Sequence, residues 1–123
     1  MTENYILQDF KKTVANLDEI LTMGDNAAMR DAAMKRFDLC FDVAWKLIKN
    51  IAKKNGSECY SPRQCFKVGF QLKLINHDEQ WLNMIDDRNL SAHLYNEEEA
   101  KTIYVKLPAY LELFKKLLIE AEK

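Results

Sequence analysis

The chain has 123 residues, 48% of them hydrophobic and 30% charged, with a formal net charge of −1. That length supports one domain with a single core, the balance excludes a disordered chain, and the near-neutral total provides no global attraction to nucleic acid. Three glycines and two prolines are too few turn formers for an all-β chain of this size, so long helices are expected.

In chain order, five helical segments are predicted. The first covers about residues 3–23, because Ile6, Phe10, Val14, Leu17 and Leu21 recur every three to four positions and share one face. Gly24 suits the C-cap, and Asp25 and Asn26 are able to cap the next helix. That second helix runs over about residues 27–55, with Phe37, Phe41, Ala44, Trp45, Ile48, Ile51 and Ala52 as its buried stripe and Gly56 as its stop. At 1.5 Å per residue it spans about 45 Å. Ser61-Pro62-Arg63-Gln64 matches a capping box with proline at the first helical position and opens a third helix to about Leu72. Asn76-His77-Asp78-Glu79 opens a fourth, carrying Trp81, Leu82 and Ile85. Asn96-Glu97-Glu98-Glu99 opens the last, its acids suiting the positive end of the helix dipole. Ile103, Leu107, Leu111, Phe114, Leu118 and Ala121 extend it to the end, with a kink expected at Pro108. Short connections between long amphipathic helices imply an all-α, up-down bundle. No repeat, linker or low-complexity stretch divides residues 1–123, so a single domain is expected.

Charge is unevenly spread. From Lys46 to Lys73 seven basic residues face one acid, Glu58, a net of +6; from Leu74 to Glu99 seven acids face Arg88 alone, a net of −6. Either these are solvated helix faces, or the first stretch is a basic strip for RNA or an acidic partner. Cys40, Cys59 and Cys65 are odd in number, and no two have the two-to-four-residue gap of a zinc knuckle. Cys40 reads as core. With no signal-like N-terminus and no apolar run of membrane-spanning length, a reducing cytoplasm is the expected compartment.

Arg88, His93 and Tyr95 concentrate three chemistries in eight positions. Arginine offers a planar donor fork suited to phosphate. Histidine exchanges a proton near neutral pH. Tyrosine offers a hydroxyl for hydrogen bonding or modification. On a continuous helix Arg88 and His93 stand about 140° apart, so either the helix ends near Ser91 or the two groups meet across a dimer. An Arg-x4-His spacing is common by chance: Arg88 pairing with Asp86 or Asp87, His93 at a helix end and Tyr95 in the core would account for it structurally.

The wider chain carries a family resemblance. Arg36-Phe37-Asp38-(x2)-Phe41-Asp42-(x2)-Trp45-Lys46, then Ser61-Pro62-Arg63, then Trp81 followed by Arg88-Asn89-(x3)-His93-x-Tyr95 resemble, in order and spacing, the signatures of the nucleotidyltransferase substrate-binding proteins of the HEPN superfamily. Asp38 and Asp42 stand where glutamate is more usual, which shortens those side chains. The resemblance spans almost the whole chain. It implies a HEPN-like bundle of four or five helices that pairs as a homodimer, and a separate minimal nucleotidyltransferase as partner. It implies one of two roles: a toxin of a toxin–antitoxin pair acting as a metal-independent endoribonuclease, or a non-catalytic subunit that binds a nucleotide or other substrate for the transferase.

In the ribonuclease role the 2′-OH of RNA is the nucleophile. His93 is the general acid/base, Arg88 clamps the phosphate, Asn89 orients the phosphate or His93, and Tyr95 is the residue the transferase modifies. No metal or other cofactor is implied. Acids around Arg88 repel phosphate; Lys46, Lys49 and Lys53, broadly along one face of the second helix, are the candidates to offset them.

Overall fold

The computed structural model describes residues 2–76, 79–93 and 96–123, with side chains from Tyr5 onward. Six helices and no strand occur among them: α1 Thr2–Leu21, α2 Ala27–Lys54, α3 Pro62–Gln71, α4 Glu79–Ser91, α5 Glu97–Tyr104 and α6 Leu107–Glu122. The long α2 is the axis of the bundle and packs against every other helix; α1 also meets α6, and α4 meets both α3 and α5.

The helix starts follow the chain's capping chemistry. The Asn26 side chain accepts the Met29 amide, Ser61 accepts that of Gln64, and Asn96 accepts that of Glu99, each satisfying an amide the first turn would orphan. Asp25 does not cap; it pairs with Arg30. The box at Ser61 is displaced by one residue, because Gln64 Oε1 accepts the amide of Tyr60. Asn76 precedes residues 77–78, which lie outside the described residues, so its cap is untested. α1 ends at Leu21, so Gly24 lies three residues past it rather than at its C-cap; its φ of +113° is a conformation that favours glycine.

The last segment differs from expectation. It is two helices rather than one kinked helix, interrupted at Val105–Lys106. Pro108 has no amide to give the Tyr104 carbonyl four residues earlier, and its ring clashes there; α5 ends at Tyr104. Proline then occupies the first turn of α6, where it is tolerated.

The core is joined by aromatic side chains. Phe37, Phe41, Phe66, Trp81 and Phe114 form a closed circuit of ring contacts with centroids 4.8 to 6.4 Å apart, tying α2, α3, α4 and α6 together. Phe10 of α1 meets Phe114 edge-on, and Tyr110 stacks on Phe37. Leu107 and Leu111 are buried and Trp45 packs half-buried against the cluster, as their spacing predicts. Gly69 lets α3 approach α2 closely: a Cβ there would lie 3.2 Å from an Ile48 methyl.

Cys59 and Cys65 are joined as a disulfide, a pairing the sequence reading left unassigned. The extended segment before α3 brings their Cα atoms to 5.1 Å, well within bridging range. Disulfides persist in oxidising surroundings and are rare in a reducing cytosol, so the bond does not favour the expected compartment. Cys40 is a free buried thiol, and burial pushes its pKa up to about 12 despite a hydrogen bond with Thr13.

Candidate functional site

α4 lies antiparallel to α2: Arg88 reaches Asp42, and Ser91, one turn further along α4, reaches Asp38, one turn earlier on α2. The two aspartates share a face of α2 because they are four residues apart. They flank the aromatic stripe of Phe37 and Phe41, which fixes their rotation about the axis.

Arg88 is therefore held by both carboxylates. Its Nη2 lies 3.4 Å from Asp42 Oδ2 and its Nε 3.6 Å from Asp38 Oδ1, with the three side chains 25%, 38% and 28% exposed respectively. The Nε contact is an ion pair without a hydrogen bond, and Nε is buried with no other acceptor. Ser91 Oγ lies 2.8 Å from Asp38 Oδ1 and occupies that oxygen. Burial raises the Asp38 carboxyl above the ordinary aspartate range, while the Ser91 hydroxyl and the Arg88 charge oppose the rise.

The pairing of Arg88 with Asp86 or Asp87, considered from the sequence, does not occur. Asp87 turns the opposite way and is buried, accepting the Tyr110 hydroxyl and lying 3.3 Å from Lys106 Nζ. Burial first, then the bond to this carboxylate, drives the Tyr110 hydroxyl pKa well up. Asp87 thus clamps α4 to the start of α6, and adjacent positions on α4 serve opposite faces.

α4 ends at Ser91, and the His93 amide donates to Leu90 O at 2.9 Å. His93 is exposed, as is Asn89. Among the described residues no hydrogen bond joins the His93 ring to Arg88. Tyr95 lies outside the described residues. Lys46, Lys49 and Lys53 are exposed on α2 and border an open groove of about 610 Å³ with Trp45, Asn50 and Ile6. Among the described residues none of these three lysines pairs with a carboxylate. The sequence reading missed Asp38, Asp42 and Ser91 as partners of Arg88. The available signal was two acids four apart beside an apolar stripe.

This arrangement can offer a guanidinium, held rigidly by two acids, to an anion approaching the end of α4, with an exposed imidazole one turn beyond. Comparison with known proteins gives it a context. The model for nucleotidyltransferase substrate binding protein like sequences matches residues 5–123. The chain belongs to this family. A Thermus thermophilus protein of known crystal structure, ttk003001694, is 32% identical over 93% of this chain and 99% of that one, with a TM-score of 0.86. HI0074 from Haemophilus influenzae, whose structure is described as the fold of a substrate binding domain of a nucleotidyltransferase, is 17% identical over 99% and 98% of the two chains with a TM-score of 0.71; the likeness is one of fold. A Haemophilus influenzae protein described as "Probable ribonuclease HepT" is 20% identical over 84 residues, 64% of this chain. The chain spans 58% of that relative's length. Among the described residues no helix is long and apolar enough to cross a membrane.

Proposed function

We propose that the chain is a HEPN-type partner of a minimal nucleotidyltransferase and cleaves RNA without a metal. The carrying observation is the end of α4, where Arg88 is fixed by Asp38 and Asp42 and His93 stands exposed just past the helix terminus. Similarity to a protein described as a ribonuclease supports the same reading. In it, His93 takes the proton of the 2′-OH, whose oxygen attacks the adjacent phosphorus. The charge developing on the phosphoryl oxygens is met by the Arg88 guanidinium. The bond to the 5′-oxygen breaks, and a protonated imidazole supplies that leaving oxygen with its proton.

Two imidazoles, or one acting in succession, satisfy this sequence. A homodimer that sets two α4 ends side by side supplies both. The transferase silences the activity by docking or by adding nucleotide to Tyr95.

A second reading is favoured by one observation. Arg88 is already neutralised by two carboxylates, as suits a residue that orders the bundle rather than one awaiting phosphate. The chain is then a substrate-binding subunit, the role stated for HI0074, and the transferase performs the chemistry.

RNA incubated with the purified protein and a chelator tests the choice. Cleavage that disappears with His93→Ala and with a 2′-deoxyribose at the cut position supports the nuclease. A deoxy position cut equally well refutes the internal nucleophile. Intact RNA together with tight binding to the transferase supports the subunit reading.

A further inference from the structure

Tyr60 is 67% exposed yet firmly placed. Its neighbour Cys59 is buried and bonded to Cys65 of α3, and its own amide is held by Gln64 Oε1 at 2.8 Å. Its hydroxyl donates to the Glu58 carboxylate. The Lys49 ammonium sits 5.6 Å from the ring centroid, a cation–π contact that orients the ring from one side. A large aromatic surface is thus fixed in water beside a row of cations.

The row is aligned with the Arg88 site. Lys46, Lys49 and Lys53 follow Asp42 by four, seven and eleven residues, which places them about 6, 10 and 16 Å further along α2 and within roughly 40° of its direction. Asp42 is the residue that holds Arg88. The order along the bundle is therefore Tyr60 and Lys53, Lys49, Lys46, then Arg88, then Ser91 and the turn to His93. Lys49, Lys53, Glu58, Cys59 and Tyr60 line one shallow groove, which continues the larger one at Lys46.

We infer that this row is a track for a single RNA strand, with Lys46, Lys49 and Lys53 following the phosphates and Tyr60 stacking a base away from the cleavage site. The inference rests on RNA as the substrate class and adds where the strand lies. An aromatic face beside a cationic groove is the arrangement that holds unpaired strands without reading sequence. A base in a duplex hides its faces in the stack, and the side chains of an acidic polypeptide carry no aromatic ring to stack on Tyr60. Among the described residues Glu58 is the one acid lining the groove, and the Tyr60 hydroxyl engages it.

Fluorescence anisotropy with a labelled 2′-O-methyl oligouridine of about twelve nucleotides measures binding without cleavage, because the nucleophile is blocked. Tyr60→Ala is expected to weaken binding about tenfold, the worth of one stacked base, whereas Tyr60→Phe and Tyr60→Trp retain affinity. The Lys49→Ala/Lys53→Ala variant is expected to reduce the slope of log affinity against log salt by roughly 1.4. Unchanged binding by Tyr60→Ala, equal affinity for a duplex, or equal competition by polyglutamate would overturn the inference. Cleavage of ordinary RNA is scored separately. Tyr60-dependent binding without cleavage removes the nuclease reading and leaves the track. Cleavage with Tyr60-independent binding does the reverse.

Discussion

Replacing Arg88 tests whether the residue is structural, chemical or both. Arg88→Met removes the cation and leaves Asp38 and Asp42 facing each other without compensation. At the 3.4 Å separation of Nη2 and Asp42, the attraction is roughly 1 kcal/mol at water's dielectric constant and about 5 kcal/mol at an effective constant of 20. Desolvation offsets much of the larger figure. The side chains are 25%, 28% and 38% exposed, between surface pairs worth about 0–1 kcal/mol and buried ones whose disruption costs about 3–5 kcal/mol. A loss of about 1–2 kcal/mol is expected, which for a domain of this size moves the urea midpoint down by roughly 0.5–1 M. Trp81, buried between Phe66 and Phe114, reports unfolding by fluorescence. Asp38→Asn and Asp42→Asn added to Arg88→Met should recover most of the loss, because no buried charge is then stranded. A single variant as stable as the parent, or a triple variant no better than the single, refutes this account. The triple variant also isolates the chemistry: folded and still unable to cleave RNA, it assigns the guanidinium to the reaction rather than to the fold.

Three further outcomes are expected. Lys73 carries φ 63° while the amides of Lys73 and Leu74 close α3 onto Phe70 O and Gly69 O, so Lys73→Gly should stabilise the chain by roughly 1 kcal/mol in urea unfolding; a destabilised variant contradicts the strain. Reduction of Cys59–Cys65, six residues apart, should lower the unfolding free energy by about 2 kcal/mol from the loop it closes, and identical urea midpoints with and without dithiothreitol argue against that. Asp38 should titrate above 3.8 when followed by carboxyl-carbon NMR. The raised folded value means that its protonation favours the native state: this contribution is full below 3.8 and disappears as pH rises through the folded value, so a midpoint at or below 3.8 refutes the burial argument.

Periodicity together with the capping residues was enough to place the first four helices and most of the core, because an amphipathic stripe records which face turns inward and depends on near neighbours only. Phe37, Phe41, Trp81 and Phe114 were legible in this way, as were Asn26, Ser61 and Asn96, whose caps act within three residues. A helix end near Ser91 was one of two arrangements the spacing of Arg88 and His93 left open, and α4 does end at Ser91. Pro108 was legible as an interruption, but its severity depended on whether tertiary contacts would hold a bent helix together. They hold two: Tyr110 and Lys106 are both drawn to Asp87, which fixes the start of α6 on α4. The partners of Arg88 were beyond reach of local reasoning. Asp38 and Asp42 lie 50 and 46 residues away in the chain, and only the antiparallel packing of α4 on α2 brings them to the guanidinium in preference to Asp86 and Asp87. The same holds for Tyr60. Nothing in its immediate sequence distinguishes it from any loop tyrosine, and the cation beside its ring comes from another element. Helix periodicity is a property of the chain's own geometry, whereas charge pairing between helices follows from the rotation and offset with which finished helices pack.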